Sequence, residues 1–496
     1  MRLQLEGIQN AYYVQMLCML LFPGENFHND AGPLVRLSVS ADTVQCRVIL
    51  HVDACGQCFT ISKVQPQGSS SLQGEKLCVG FAFLEAFEHL YGEKLPYGIL
   101  TGVRPGKLAL RALLAGQSPE QTKHLFTEEY GVSTEKTDLI MTVASFEKEV
   151  LRAMPAKSCS VYISIPFCPT RCSYCSFVSF ATKHLLDQIP AYLEQLCADI
   201  RQTGTLIRSL GLRVATIYIG GGTPTILQPE QLAYLLHTVC TAIDLSYLQE
   251  FTLEAGRPDT ITMEKLCIAA KNGITRVSIN PQTRNETVLK SIGRNHTEAQ
   301  LLQAFENARN SSIPFINTDL IAGLPGESLQ SFQDSVDRTI ALGPENLTVH
   351  TFCVKKAADL RQEKANIFMQ HAALPALMVQ YARESACSTG YQPYYLYRQK
   401  NTVGNQENVG YALPGTECLY NVYMMEEFHT VFGCGAGAVT RLVNSDRTEI
   451  QRIFSAKYPY EYLEGRKSSV SAESIARIYR FFERDGDTVD RENDSD

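Results

Sequence analysis

Three cysteines stand within eight positions directly after a short apolar segment, and this arrangement constrains the chain more than any other feature of its sequence. Residues 161–177 read VYISIPFCPTRCSYCSF. Apolar residues alternate from 161 to 165, which predicts a β-strand, and Pro166 cannot continue the hydrogen-bond ladder of that strand. We therefore expect the three thiols on a loop at the carboxyl end of a strand. They belong to Cys168, Cys172 and Cys175.

The spacing of these cysteines allows them to surround one small inorganic centre. Three and two residues separate them, which is too close for unstrained disulfides among all three. An iron–sulfur cube normally takes four thiolates, so three would leave one iron free to bind something other than protein. A zinc loop, or three unrelated buried thiols, is the alternative that a lone CxxxCxxC motif leaves open.

Length and charge narrow the class of protein. A chain of 496 residues suffices for two to four domains. Its 45 basic and 52 acidic residues give a formal charge of −7, which argues against nucleic acid or an anionic membrane as a partner. The apolar run at 16–22 is too short to span a bilayer. Sixteen scattered cysteines without a disulfide framework indicate reduced thiols and a cytoplasmic location.

The first 155 residues predict an α+β accessory domain. Alternating residues indicate strands at 35–39, 44–52 and 59–64, and helical periodicity follows from 75 to about 154. The segment 97–107, punctuated by glycine and proline, holds Arg104 and Lys107, either as functional cations or as ordinary solvated ones. Cys55 and Cys58 fall in a turn between strands, where two ordinary thiols are a better interpretation than a redox pair.

Residues 156–357 alternate between strand and helix signals, which predicts parallel βα units and an α/β fold. Periodicity alone permits either an open barrel or a doubly wound sheet, and both place ligands at the carboxyl ends of strands. The predicted strands are 161–167, 215–219, 250–255, 276–279, 316–321 and 347–352. The predicted helices between them are 189–210, 230–243, 263–271, 297–310 and 329–342.

Candidate ligand-binding residues follow the predicted strands. The second strand is followed by GGGTPT at 220–225, where three glycines lack a Cβ and so let backbone groups approach a ligand. Glu254 ends the third strand and could accept hydrogen bonds from an ammonium or a ribose. Polar residues follow the next two strands, and an arginine among them suits a carboxylate. These are Gln282, Arg294 and Asp319, which could instead form an internal network.

The cysteine loop, with Tyr174 before its third cysteine, resembles the cluster loop of radical S-adenosylmethionine (SAM) enzymes. Within that superfamily, YISIPFC at 162–168 and GGGTPT at 220–225 are similar to motifs of the oxygen-independent coproporphyrinogen III oxidase group, closest to its HemZ-type branch of coproporphyrinogen dehydrogenases. The resemblance implies a partial (β/α)6 TIM-like barrel. It also implies a [4Fe–4S] cluster on the three cysteines and one or two bound SAM molecules.

Site residues follow from the same resemblance. It assigns Tyr162 and Glu254 to catalysis. The SAM contacts that it implies are Tyr162, Tyr174, Gly221, Gly222, Thr223, Glu254, Gln282, Arg294, Asp319, Cys353 and Val439. Two residues depart from the better-studied branch, Ser164 in place of a histidine and Phe177 in place of a further cysteine. They put in doubt a second SAM and the handling of protons.

The activity that the resemblance implies is oxidative decarboxylation of coproporphyrinogen III to protoporphyrinogen IX. A 5′-deoxyadenosyl radical takes a hydrogen from a propionate β-carbon, and loss of carbon dioxide and one electron leaves a vinyl group. Reduced flavodoxin or a ferredoxin-like protein is the implied electron donor. A tetrapyrrole with four carboxylates needs cations. Our candidates are Arg104, Lys107, Lys355, Lys356 and Arg398.

The rest of the chain, an α+β extension at 358–483, predicts a cover over the substrate. A helix is expected at 365–388, and aromatic and glycine-rich segments follow at 391–397, 405–411 and 432–438, where tyrosines also suit ordinary strands. Residues 484–496 are charge-rich and predict a disordered tail. Two alternative functions stay open, a haem-binding chaperone on the same scaffold and a radical SAM tetrapyrrole methyltransferase.

Overall fold

The structure of the protein is a computed structural model that describes residues 1–23, 25, 27, 32–66, 71–102, 104–175, 181–353, 373–399, 402–465 and 467–493. The strands are β1 Arg2–Glu6, β2 Leu34–Ala41, β3 Gln45–Ala54, β4 Gln57–Pro66, β5 Ser158–Ile165, β6 Arg213–Gly221, β7 Glu250–Glu254, β8 Arg276–Ser278, β9 Phe315–Ala322, β10 Asn346–Thr351, β11 Gln392–Arg398, β12 Glu407–Ala412, β13 Thr430–Cys434, β14 Val439–Val443 and β15 Ile450–Phe454.

Helices connect most of these strands. The α-helices are α1 Ala11–Leu21, α2 Ser71–Tyr91, α3 Pro105–Leu114, α4 Pro119–His124, α5 Thr134–Ala153, α6 Lys183–Leu186, α7 Ile189–Ser209, α8 Pro229–Ala242, α9 Met263–Lys271, α10 Glu286–Ser291, α11 Glu298–Asn310, α12 Leu329–Ile340, α13 Ala373–Ser388, α14 Leu419–Glu426, α15 Pro459–Leu463 and α16 Ala472–Asn493. A π-helical turn, Leu125–Glu129, continues α4.

Six parallel strands form the centre of the molecule. Strands β5 to β10 lie side by side in chain order, and each pairs in parallel with the next. They coincide with the six strands that the sequence predicts. A doubly wound sheet requires the strand order to reverse at a switch point, and this order does not reverse. The prediction of a radical SAM type α/β fold with six parallel βα units is confirmed.

Burial on both faces explains why the central strands read as apolar runs. Val161, Ile163 and Ile165 of β5 are fully buried on one face, and Ser160 and Ser164 are buried on the other. Parallel strands covered by crossover helices show this pattern because neither face meets water. Because β5 to β10 are parallel, their carboxyl ends all lie on the same side of the sheet, where several loops can reach one ligand.

Five further strands extend the same sheet on both sides. At one edge β13 pairs in parallel with β5, and β14 and β15 follow in antiparallel. At the other edge β12 pairs antiparallel with β10, and β11 with β12. The aromatic and glycine-rich segments that predict a cover over the substrate are thus strands of an eleven-stranded sheet. The helix predicted at 365–388 is α13 where the structure describes that range.

The accessory domain is a four-stranded sheet in the order β1-β2-β3-β4, with α1 and α2 packed on one face. Three of its strands match the prediction, whereas β1, which pairs in parallel with β2, is absent from it. The hairpin between β3 and β4 turns at Cys55 and Gly56, whose φ angles are 57° and 74°. Such angles build the type I′ turn that suits a two-residue hairpin. Cys55 and Cys58 are both exposed; Cys55 lies in the turn, as predicted, whereas Cys58 lies in β4, where it pairs with Asp53.

The carboxyl-terminal segment corrects one expectation. Helix α16 extends to Asn493, so the predicted disordered tail is helical over the part that the structure describes. Ile478 and Phe481 of α16 are buried in the main core, which anchors the helix. Asp485 accepts hydrogen bonds from Ser445, so the first charged residues of this segment have a partner. None of the described helices combines the length and the apolar character needed to cross a membrane.

A buried carboxyl pair joins the accessory domain to the rest of the chain. Glu147 of α5 and Glu426 of α14 are less than 3% exposed, and none of their four carboxyl oxygens has a hydrogen-bond partner in another residue type. Burial and the neighbouring Glu426 hold the pKa of Glu147 well above its usual range. Burial also raises the pKa of Glu426 to about 7, against the opposing charges of Arg104 and Lys107. The pair therefore retains a proton near neutral pH.

Replacing Glu426 by Gln should make the variant more stable than the unmodified protein at pH 8 but not at pH 5. An acid whose pKa is raised on folding loses stability as pH rises from its unfolded pKa, about 4.5, to its folded pKa, about 7. Gln does not ionise, so the variant escapes this loss. We expect the Tm of Glu426→Gln to exceed that of the unmodified protein at pH 8 and not at pH 5. Thermal unfolding at both pH values measures it, and equal pH dependence in both proteins would contradict the shared proton.

Candidate functional site

The three predicted ligands lie together on the loop after β5. Cys168 and Cys172 are buried and Cys175 is half-buried. Thr223 Oγ1 donates a hydrogen bond to Cys168 Sγ over 3.3 Å, and Arg257 Nη2 donates to Cys172 Sγ over 3.1 Å. These two contacts fix the positions of both sulfurs on the loop.

The donor set fits an iron–sulfur cluster. None of the sixteen cysteines, all within the described residues, forms a disulfide, so all three thiols on the loop are available. The three cysteines line one cavity. In an iron–sulfur cube each cysteine binds a different iron atom, and three cysteines leave one iron without a protein ligand.

The glycine run after β6 closes against this loop. Gly222 N donates to Ile165 O and Thr223 N donates to Phe167 O, at 2.8 Å and 2.7 Å. A Cβ on Gly222 would lie 2.5 Å from Phe167 O, and a Cβ on Gly220 would lie 2.5 Å from a carboxylate oxygen of Glu254. Only glycine permits these approaches. The glycine run thus packs tightly against the cysteine loop, and we call it the cradle because Gly221 and Gly222 line the cavity beside the cysteines.

Glu254 points into the cavity from the end of β7. Burial, and then the charge of Asp319, raise the pKa of Glu254 to about 8, although the backbone of Gly221 and the guanidinium of Arg294 oppose the shift. A carboxyl group in this state is poised to ionise when a cation binds beside it. The position suits an ammonium group at the edge of the cradle.

Arg294 ties the cysteine loop to neighbouring strands. Its Nε donates to the hydroxyl of Tyr174 over 3.2 Å, and its Nη1 donates to the carbonyl oxygens of Asn280 and Gly256 over 2.5 Å and 3.1 Å. The side chain is only 6% exposed. Gln282 lies nearby with a φ of 69°, in the left-handed region. Its backbone amide donates a hydrogen bond to the carbonyl oxygen of Asp319 in β9. These contacts fix the wall between the cluster loop and β9.

The opposite wall comes from β9, β10 and β11. His350 Nε2 lies 3.7 Å from Asp319 Oδ2, and Tyr397 OH lies 3.2 Å from His350 Nδ1. The rings of Tyr395 and Tyr397 stack with centroids 6.4 Å apart. Together with the cysteine loop and the cradle, these residues enclose a cavity of about 360 Å³. One volume thus contains the thiols, the glycine cradle and an aromatic wall.

Most of the predicted site residues line this cavity. Those that do are Cys168, Cys172, Tyr174, Cys175, Gly221, Gly222, Thr223, Glu254, Gln282, Arg294, Asp319 and Cys353. Tyr162 and Val439 are not among the lining residues. The ring of Tyr162 stacks against Tyr218 and Tyr420, with centroids 6.2 Å and 6.4 Å away, so Tyr218 takes the lining position. Val439 begins β14 and pairs with Phe454, on the far side of β13.

Several lining residues escaped the sequence reasoning. They are Arg257, Tyr218 and His350. Arg257 stands three positions after β7, Tyr218 lies in β6, and His350 stands near the carboxyl end of β10. The rule that ligands bind at the carboxyl ends of parallel strands would have selected Arg257 and His350. Tyr395 and Tyr397 belong to the aromatic segment that the sequence predicts to cover the substrate, and both line the cavity.

The predicted substrate cations are engaged elsewhere. Arg104 Nη2 and Lys107 Nζ both pair with Glu427, at 3.0 Å and 2.7 Å, so they bind the chain itself. Arg398 is 5% exposed and donates to a backbone carbonyl and to Asn405. None of these three residues is among those that line the cavity, and their role toward a substrate stays a prediction. Two further candidates lie outside the described residues, Lys355 and Lys356.

The departures from the better-studied branch have different outcomes. Ser164 Oγ donates to the carbonyl of Ala436 over 2.8 Å, which ties β5 to the glycine-alanine segment after β13. Its hydroxyl is thus a structural contact. Phe177 lies outside the described residues.

Comparisons with known proteins agree with this geometry. Residues 162–339 match the Radical SAM superfamily. The chain is 35% identical over 489 residues to the oxygen-independent coproporphyrinogen-III oxidase-like protein HemZ of Bacillus subtilis, covering 97% of this chain and 96% of that protein. It is 30% identical over 287 residues to the heme chaperone HemW of Lactococcus lactis, covering 58% and 70%.

A solved structure shares the fold. The coproporphyrinogen III oxidase HemN of Escherichia coli, a radical SAM enzyme, superposes with a TM-score of 0.50 at 20% identity. The match covers 65% of this chain and 71% of that protein. At this identity the likeness concerns the fold alone.

Replacing Cys172 by Ser should remove the cluster. Anaerobically reconstituted protein is expected to hold about four iron atoms per chain. The variant should hold much less, because serine is a poor ligand for iron in such clusters and the contact of Arg257 with the sulfur is lost. The cluster content is measured by iron and sulfide analysis and by the visible absorption at about 400 nm. Cys387→Ser, on exposed α13, is the matched control; equal iron in both variants would contradict the assignment.

Replacing Gly222 by Ala should push the glycine run away from the cysteine loop. The new Cβ would meet backbone atoms of Phe167, which cannot turn away as a side chain can. We expect SAM affinity to fall by about tenfold or more, a loss of about 1.4 kcal/mol. Anaerobic calorimetry measures it. Gly102→Ala is the control, since its Cβ would meet nothing within 4 Å. Unchanged SAM binding in Gly222→Ala would argue against the cradle.

Proposed function

This chain belongs to the HemZ-type family of oxygen-independent coproporphyrinogen-III oxidase-like radical SAM proteins, and on that premise we propose that it oxidatively decarboxylates coproporphyrinogen III. In each of two rounds a propionate side chain loses a β-hydrogen atom, carbon dioxide and one further electron, which leaves a vinyl group. The electron passes to a one-electron acceptor. The product of both rounds is protoporphyrinogen IX.

The chain's own residues account for the binding of the family's cofactors. Cys168, Cys172 and Cys175 are the ligands that would hold a [4Fe–4S] cluster. When bound, the cluster and SAM supply the one-electron chemistry that removes the hydrogen atom. Thr223 and Arg257 donate hydrogen bonds to the sulfurs of Cys168 and Cys172 and so position these two ligands.

The cradle and its neighbours orient the second cofactor. Gly221 and Gly222 line the cavity, and Glu254 can pair with an ammonium group there. Ion pairing would lower the raised pKa of Glu254 and keep its carboxylate charged. Asp319 lies across the cavity, where its oxygens can accept hydrogen bonds from ribose hydroxyls.

A single observation carries the proposal, namely the continuity of the cavity. The three cysteine thiols and the wall formed by Tyr395, Tyr397 and His350 line the same cavity. A substrate held against that wall is therefore within reach of chemistry that starts at the cluster. Stacked aromatic rings suit a flat pyrrole system.

Haem binding without turnover is the second candidate function. It is favoured by the likeness to proteins named heme chaperones, at 26% to 30% identity. Those matches cover between 58% and 65% of this chain, whereas the HemZ match covers nearly all of it, including the accessory domain. The fuller coverage is the reason to place decarboxylation first.

An anaerobic turnover assay tests the proposal. Reconstituted protein is incubated with SAM, dithionite or reduced flavodoxin, a one-electron acceptor and coproporphyrinogen III. We expect carbon dioxide and vinyl products, identified by mass spectrometry after oxidation to porphyrins. Cys172→Ser, which cannot hold the cluster, is the negative control.

Two results would contradict the proposed decarboxylation. Stoichiometric haem binding with intact coproporphyrinogen would favour the chaperone. Methylated tetrapyrrole, or SAM cleavage that leaves both propionates in place, would favour a different radical SAM reaction. The electron donor is proposed by class, and replacing dithionite with flavodoxin or ferredoxin identifies it.

A further inference from the structure

The cavity offers few positive charges for a substrate rich in carboxylates. Its described lining contains three basic side chains, Arg257, Arg294 and His350. Arg257 donates to the sulfur of Cys172, and Arg294 donates to Tyr174 and to backbone carbonyls. Both guanidinium groups therefore serve the cluster loop. His350 is the basic group of the described lining that makes no contact with that loop.

His350 has one ring nitrogen anchored and one directed away from its anchor. Tyr397 OH lies 3.2 Å from Nδ1, and the side-chain amide of Gln399 donates to the same hydroxyl oxygen over 3.4 Å. The hydroxyl therefore holds the Nδ1 side of the ring. Nε2 lies 3.7 Å from Asp319, beyond hydrogen-bond distance. Within the part of the chain that the structure describes, no group accepts a hydrogen bond from Nε2, so this nitrogen can donate to a ligand.

We propose that His350 binds a propionate carboxylate of the tetrapyrrole through Nε2–H, and that Tyr397 positions the ring; this inference rests on the proposed function. The side chain is 27% exposed, so a ligand can reach it from the cavity. The aromatic wall of Tyr395 and Tyr397 lies alongside, where the pyrrole to which that propionate is attached can pack. A charged hydrogen bond of this kind gives orientation as well as affinity.

The carboxylate bound by His350 belongs to a propionate that is not reacting in that round. An ion pair with the departing carboxylate would stabilise the reactant more than the transition state, in which its charge is being lost. Anchoring a different propionate avoids this cost and fixes the position of the reacting one. The groups that face His350 and carry or can carry charge are Asp319 of β9, Tyr397 of β11 and Cys353 after β10.

Binding of coproporphyrin III, the stable oxidised tetracarboxylate, tests the inference without turnover. Holoenzyme is titrated with coproporphyrin III and with its neutral tetramethyl ester, and fluorescence reports the Kd of each. The unmodified protein should prefer the acid over the ester. His350→Asn should lose about tenfold or more of its affinity for the acid, and little for the ester, since one charged hydrogen bond is removed.

Steady-state kinetics supply the second readout. His350→Asn should raise KM for coproporphyrinogen III by a similar factor while kcat changes by less than about threefold. His350→Lys retains a cation and should recover most of the affinity. Tyr397→Phe should raise KM less than His350→Asn and leave kcat unchanged, because the imidazole loses its positioning contact and keeps Nε2. His237→Asn, exposed on α8, is the matched control and should change nothing.

The outcomes separate this inference from the function on which it rests. A His350→Asn protein with unchanged Kd and KM, or one that loses kcat alone, would overturn the role of His350 while leaving decarboxylation intact. A spectrum in which His350 ligates haem iron would overturn it as well. If the unmodified protein releases no carbon dioxide, the proposed function fails. The comparison of binding between the acid and the ester still tests whether His350 binds a carboxylate.

Discussion

The close contact between two loops, the cysteine loop after β5 and the glycine run after β6, is the constraint on which the site depends. Gly222 lies against the backbone of Phe167, and the next amide donates to the same carbonyl. This contact brings Thr223 to the sulfur of Cys168 and leaves backbone groups facing the cavity. Because strands β5 and β6 are parallel neighbours, both loops emerge at the same edge of the sheet. The parallel pairing and the absence of a Cβ together create the cradle.

The positions of the cluster ligands and of most cavity residues could be predicted from the sequence, because they follow strands whose apolar pattern is unambiguous. Glu254, Gln282 and Asp319 all stand at strand ends, and the topology then gathers them. The interaction partners of individual side chains could not be predicted. Arg104 and Lys107 look like substrate cations until Glu427, more than 300 positions later in the chain, proves to be their partner. No local pattern reports a contact of that sequence separation.

The same limit explains the two predicted residues that miss the cavity. Tyr162 belongs to the right strand, yet its ring is covered by Tyr218, which sits beside it in β6. Whether a strand residue reaches a ligand depends on what the neighbouring strand places in front of it. The walls made by β11 show the converse: Tyr395 and Tyr397 belong to a segment without a clear βα rhythm, and antiparallel pairing with β12 at the edge of the sheet brings them to the site.

The junction at the end of α14 has a consequence for how the molecule is assembled. Helix α14 contributes Asn421 and Met425 to the cavity, and Arg104 of the accessory domain donates to the carbonyl of Met425 across 321 positions of chain. One turn of polypeptide thus lines the cavity and contacts the amino-terminal region at once. The amino-terminal region therefore supports one wall of the cavity, and a barrel produced without it would lose that support.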